Sequence, residues 1–77
     1  MTLTLNACIL IKTTPTQSDK VKNAASKLAG VTKAFLSYGR YDLAVFVKSD
    51  DYAAIRRLTT TINALDGVRS TETLVEA

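Results

Sequence analysis

The 77 residues carry a net charge of +3, 47% hydrophobic side chains, one cysteine and no histidine. A chain this short is one domain that buries only about 60% of the surface its unfolded form exposes; Cys8 alone excludes a disulfide and, without histidine, a zinc site, so oligomerisation is left as the support small domains need. No apolar run approaches the ~18 residues of a membrane span, and the ten basic residues are interleaved with seven acids instead of clustered as a nucleic-acid stripe.

Thr4 to Lys12 reads as a strand, rich in β-formers and closed by Thr13-Thr14-Pro15, since proline cannot extend a ladder. Cys8 is expected there as a small buried apolar residue. The segment before it lacks the basic leader and apolar core of a lipoprotein signal, so the chain is expected to be soluble and cytoplasmic. A first helix is expected over Gln17 to Ala29. Thr16 and Asp19 approximate a capping box, and Val21, Ala24, Ala25 and Leu28 form one stripe. Gly30 ends it.

Val31 to Tyr38 and Tyr41 to Lys48 follow as strands, separated by Gly39-Arg40, a pairing that suits a two-residue type II′ hairpin. Ser49 and Asp50 are candidate caps for a second helix from about Asp51 to Leu65, with Ile55, Leu58, Ile62 and Leu65 on its inner side. Gly67 closes that helix, and Val68 to Val75 is the last strand. Leu28-Ala-Gly-Val31 recurs as Leu65-Asp-Gly-Val68, as two tandem βαβ units would produce. With right-handed crossovers the expectation is a single α+β domain over 1–77. It is a ferredoxin-like βαββαβ fold, a four-stranded antiparallel sheet with both helices on one face.

The hairpin register sorts its residues into two faces. Ala34, Leu36, Tyr38, Tyr41, Leu43, Val45 and Val47 belong under the helices. The other face carries Lys33, Phe35, Ser37, Asp42, Ala44, Phe46 and Lys48. Its apolar centre, Phe35, Ala44 and Phe46, with Cys8 and Leu10 from the first strand, is expected to be a sheet-to-sheet dimer interface, because a contiguous apolar patch on an open sheet marks an association surface.

Catalytic chemistry finds little to work with. There is no histidine to titrate near neutrality, Asp50-Asp51 suit caps, and neither Cys8 nor the hydroxyls have an activating base. Three isolated glycines make no phosphate loop. No metal, cofactor or enzymatic activity is expected. Tyr38-Gly39-Arg40-Tyr41-Asp42 and Ser70-Thr71-Glu72-Thr73 are richer. A glycine turn offers backbone N–H groups to a carboxylate, Asp42 can hold an ammonium, and Ser70, Thr71 and Thr73 supply hydroxyls. Together these suit a free α-amino acid, and equally an ordinary hairpin beside a threonine-rich strand.

Tyr38-Gly-Arg-Tyr-Asp42, then Leu43-Ala-Val-Phe-Val47 and Gly67-Val-Arg-Ser-Thr-Glu-Thr-Leu74, together with Ile9-Leu-Ile-Lys12, resembles the C-terminal regulatory (RAM) domain of Lrp/AsnC transcription regulators. The resemblance spans essentially the whole chain. It implies modules that pair through their sheets and assemble into rings, commonly tetramers of dimers, with small amino-acid effectors bound between dimers. It places Gly39, Tyr41 and Asp42 in that pocket and Thr71, Thr73, Leu74 and Val75 at the assembly side. Arg40 adds a charge beside it. The family's helix-turn-helix half has no counterpart in these residues. The expectation is therefore a stand-alone module without sequence-specific DNA binding, acting by itself or co-assembled with full-length regulators. A dimeric α/β-barrel enzyme and a purely structural assembly partner are the alternatives.

Overall fold

A computed structural model describes residues 4–76 of the chain. The elements run β1 (Leu5–Thr13), α1 (Ser18–Ser26), β2 (Val31–Leu36), β3 (Leu43–Ser49), α2 (Tyr52–Asn63) and β4 (Val68–Val75). They build an antiparallel sheet of order β2-β3-β1-β4. α1 lies over β2 and β3, and α2 over β4, β3 and β1. This is the expected ferredoxin-like α+β fold.

The core sits between sheet and helices. Ile9 and Ile11 from β1, Leu43, Val45 and Val47 from β3, Val21 and Ala25 from α1, and Ile55 and Ile62 from α2 are all buried. Each large aliphatic side chain so buried contributes about 1.5–3 kcal/mol. The period-2 alternation of β1 and β3 thus delivers one face to the core, and the other stays open. Among the described residues no buried side-chain polar atom lacks a partner; Thr13, the one buried polar residue, shares a 2.7 Å hydrogen bond with Ser18.

Local chemistry differs from the sequence reading at three points. The capping box does not form. Thr16 has a positive φ of 71° and the N-cap is Gln17, with no side-chain cap. The Gln17 N–H donates to Thr14 O instead, so Pro15 and Thr16 occupy the centre of a tight turn of type II character, whose third residue needs positive φ. The cap of α2 is Asp51, whose carboxylate accepts from the Ala53 N–H at 2.9 Å, instead of Ser49 or Asp50. Ser49 hydrogen-bonds Asp51 N–H and braces that turn.

The hairpin keeps its expected register and loses its tight loop. Leu36 pairs Leu43, Phe35 pairs Ala44 and Lys33 pairs Phe46, with a bulge between Val31 and Lys33. Tyr38 and Tyr41 do not pair, because the Asp42 N–H donates to Ile11 O and draws that end of the hairpin toward β1. The tip opens into a wider loop, closed by Ser37 N–H to Asp42 O at 2.9 Å. Tyr38, expected under the helices, is fully exposed. The repeated Leu-x-Gly-Val segments do make the same turn: Val31 N–H donates to Leu28 O, Val68 N–H to Leu65 O, and both glycines have positive φ.

Candidate functional site

The hairpin tip is a braced polar loop. Gly39 takes φ +105°, and a Cβ there would meet nothing within 4 Å, so its backbone faces open space. The Ser37 hydroxyl donates to Tyr41 O at 2.9 Å. Tyr41 O–H donates to Glu72 Oε2 at 2.8 Å, tying the loop to β4 across β1. That hydrogen bond, reinforced by burial and by the Glu72 charge and opposed by Arg40, pushes the Tyr41 phenol above its usual pKa. Asp42 is held from both sides of its backbone. Its N–H binds Ile11 O, and its Oδ2 accepts from the Thr13 N–H at 3.0 Å, where the β1–β4 pairing shifts register. Arg40 is exposed, and its charge acts on the Tyr41 phenol.

The β4 candidates divide between the two faces of the sheet. Thr71, Thr73 and Val75 pair with Ile11, Ile9 and Ala7 and so share the helix-covered face. Thr73 is engaged there, its hydroxyl 3.1 Å from that of Thr59 on α2. Ser70 and Leu74 pair with Lys12 and Cys8 and lie on the open face. Within one chain the hairpin tip and the β4 hydroxyls are therefore not gathered into one pocket. The tie between them is Tyr41–Glu72. Glu72 stands within the Ser70–Thr73 run singled out in the sequence but was given no role there; its place opposite Leu10 depends on the β1–β4 register, which no local signal reports.

The open face bears out the apolar patch. Phe35 and Phe46 pack with ring centroids 5.6 Å apart, the Lys33 ammonium sits 5.5 Å from the Phe35 ring, and Ala44 is buried beside them. Leu74, 54% exposed, extends the patch to the β4 edge. A groove of about 290 Å³ runs between Phe46 and Leu74 over Cys8. Burial pushes the Cys8 thiol above its usual pKa, the reverse of what a nucleophile needs. A larger, open concavity of about 550 Å³ lies on the outer side of α2 between Arg56 and Arg57, over Ala53 and Thr60. Among the described residues no cluster of three metal-ligating side chains exists, and no helix is long and apolar enough to cross a membrane.

Comparison with known proteins adds to this geometry. The model of the Lrp/AsnC ligand binding domain matches residues 6–76. No curated protein sequence matches the chain. TTHA0845 from Thermus thermophilus is 28% identical with a TM-score of 0.91, over 95% of this chain and 92% of that one. The hypothetical protein PHS023 from Pyrococcus horikoshii is 26% identical with a TM-score of 0.87, over 95% and 89% respectively. The transcriptional regulator NMB0573 of Neisseria meningitidis, in a structure with L-Met, shares the fold at 21% identity and a TM-score of 0.78, over 95% of this chain and 49% of that one.

Proposed function

This chain belongs to the Lrp/AsnC ligand binding domain family, and we propose that it is a cytoplasmic amino-acid-sensing module that works by assembly and performs no catalysis. The observation that carries the reading is the braced tip. A glycine turn open to its surroundings is followed directly by Arg40, Tyr41 and Asp42, with Asp42 bound to the Thr13 N–H and Tyr41 locking the loop to Glu72 of the sheet. A zwitterion needs this mixture of donors and anions. Asp42 Oδ2 is committed to Thr13, which leaves Oδ1 for an ammonium. Gly39, Arg40, Tyr41 and Asp42 form one wall of the pocket. Ser70, Thr71, Thr73, Leu74 and Val75 belong to the opposite wall, contributed by a neighbouring dimer in a higher ring such as a tetramer of dimers. The dimers themselves form through the open face around Phe35, Ala44 and Phe46, with Cys8 and Leu10. The module signals to transcription or amino-acid metabolism through its own assembly state or by co-assembling with full-length regulators.

A thermal-shift screen against the twenty amino acids tests this. A ligand at ~100 times its dissociation constant adds about 2.7 kcal/mol of stability and raises the melting temperature. A protein that assembles fully and is stabilised by none of the twenty is a structural assembly partner instead.

A further inference from the structure

A further concavity, of about 240 Å³, opens between α2 and β4, lined by Tyr52, Ile55, Arg56, Thr59, Thr60 and Thr73. Its polar groups are unequal. A hydroxyl has one proton to give. Thr59 gives its own to Ile55 O at 3.0 Å, so in its 3.1 Å contact with Thr73 it accepts, and Thr73 is the donor. Thr60 donates to Arg56 O at 3.0 Å. All three threonines are thus spent as donors and present only lone pairs. The groups left to hold an acceptor are the Arg56 guanidinium and the hydroxyl of Tyr52, a residue 54% exposed. No acid lines the concavity, and the ion pair found among the described residues joins Lys20 to Asp66, so the guanidinium has no carboxylate partner there.

Thr73 also stands on the β4 wall of the proposed effector pocket, and the concavity continues that wall toward α2. An aliphatic side chain filling it would take the guanidinium out of water with nothing to pair it, which is costly for any charge. A lysine or arginine side chain would meet like charge. A carboxylate pairs with a guanidinium through two parallel N–H···O bonds and can take a third from the phenol. The threonine lone pairs suit the ligand's ammonium, which Asp42 would meet from the tip. Resting on the reading that the hairpin tip and β4 are the two walls of one amino-acid site, we propose that this concavity is its side-chain subsite, in which Arg56 and Tyr52 select an effector with an acidic side chain, aspartate or glutamate. Arg57, the next residue, lines the outer concavity of α2 and not this one, so it serves as the control.

Calorimetry tests the assignment with L-aspartate against L-asparagine and L-glutamate against L-glutamine, pairs that differ in charge and hardly in shape. In at least one pair the acid binds the wild type more tightly by about tenfold or more, as a charge-assisted pair does over a neutral one. Arg56→Gln erases that margin and leaves the amide its affinity, while Arg57→Gln keeps the margin whole. Both arginines are exposed and outside the core, and far-UV circular dichroism verifies the fold of each variant. Amides that bind as tightly as the acids overturn the assignment, as does a margin that survives Arg56→Gln or is lost as fully in Arg57→Gln. An Arg56→Gln protein that loses acid and amide equally also overturns it, because the guanidinium then serves the α-carboxylate. In the thermal-shift screen, stabilisation by aliphatic amino acids alone overturns the acidic subsite and leaves the sensing reading in place. Stabilisation by none of the twenty overturns the sensing reading itself.

Discussion

Asp42 is committed twice before any ligand arrives, to Ile11 O through its N–H and to the Thr13 N–H through Oδ2. Asp42→Ala leaves the Thr13 N–H without an acceptor, which costs about 1–3 kcal/mol and is read from a urea denaturation midpoint. Asp42→Asn keeps an acceptor oxygen there and removes the charge. It is expected to hold stability near wild type while amino-acid affinity, by calorimetry, falls about one to two decades, as loss of a charge-assisted hydrogen bond does. Normal affinity in Asp42→Asn would leave the residue a turn brace alone. Cys8 behaves differently. Burial favours its neutral thiol, so its folded pKa lies above the ordinary 9.0. The native state then holds its proton longer than the unfolded chain does. The thiol's contribution to stability is complete below pH 9.0 and is lost as pH rises through the folded value. At pH 8, iodoacetamide is expected to alkylate Cys8 more slowly than it alkylates the same thiol in the urea-unfolded chain, by mass spectrometry. Equal rates would show an accessible, unshifted thiol.

At the scale of elements, the turns decide where helices stop and strands begin, and they do so with unequal tolerance. Gly67 has φ +99°, and a Cβ there would lie 3.0 Å from Gln17 Cβ and 3.2 Å from Val21 Cγ2, inside the start of α1. Gly39 has the same sign of φ and nothing near it. Gly39→Ala therefore costs only backbone strain, about 1–3 kcal/mol, whereas Gly67→Ala adds overpacking of about 1–3 kcal/mol more. Equal midpoints in urea would contradict that ordering. Thr16 is the converse case, a β-branched residue at φ 71° where glycine fits without cost. Thr16→Gly is expected to raise stability by up to about 1 kcal/mol, because relief of strain outweighs the greater freedom of the unfolded chain. In α2 each hydroxyl of the run Thr59 to Thr61 finds its partner locally, donating to the carbonyl four residues earlier.

For the whole molecule, the helix-covered face closes the core, and the open face is the one proposed for association. Ile9, Ile11, Leu43, Val45, Ile55 and Ile62 close one core, and the second apolar surface, with Phe35, Phe46 and Leu74, has no cover among the described residues. Phe46→Lys puts a charge at the centre of that surface and removes the aromatic partner of Phe35. If the proposed dimer forms, the expected product is a folded monomer or an unfolded chain in sedimentation velocity, because a 77-residue domain has little stability to spare without a partner.

Much of this protein follows from signals that act over a few residues. The alternation in Ala7-Cys8-Ile9-Leu10-Ile11, the spacing of Ile55, Leu58 and Ile62, and the recurring Leu-x-Gly-Val turn specify six elements and the ferredoxin-like order. The 33–36 to 43–46 register followed from the hairpin being short, so the Phe35–Phe46 patch was legible as well. The tip was not. Gly39-Arg40 has the composition of a two-residue turn, but the pull of Ile11 O on the Asp42 N–H comes from a strand about 30 residues away and opens the loop. Thr16 likewise has the chemistry of a cap and is diverted into a Pro15 turn by the path from β1 to α1. Glu72 and the division of the β4 hydroxyls between two faces depend on β4 lying beside β1, a pairing of residues about 60 apart. Local propensity is a property of neighbours along the chain, while register between distant strands is set by the packed core, and only the tertiary structure could decide which charges share a face.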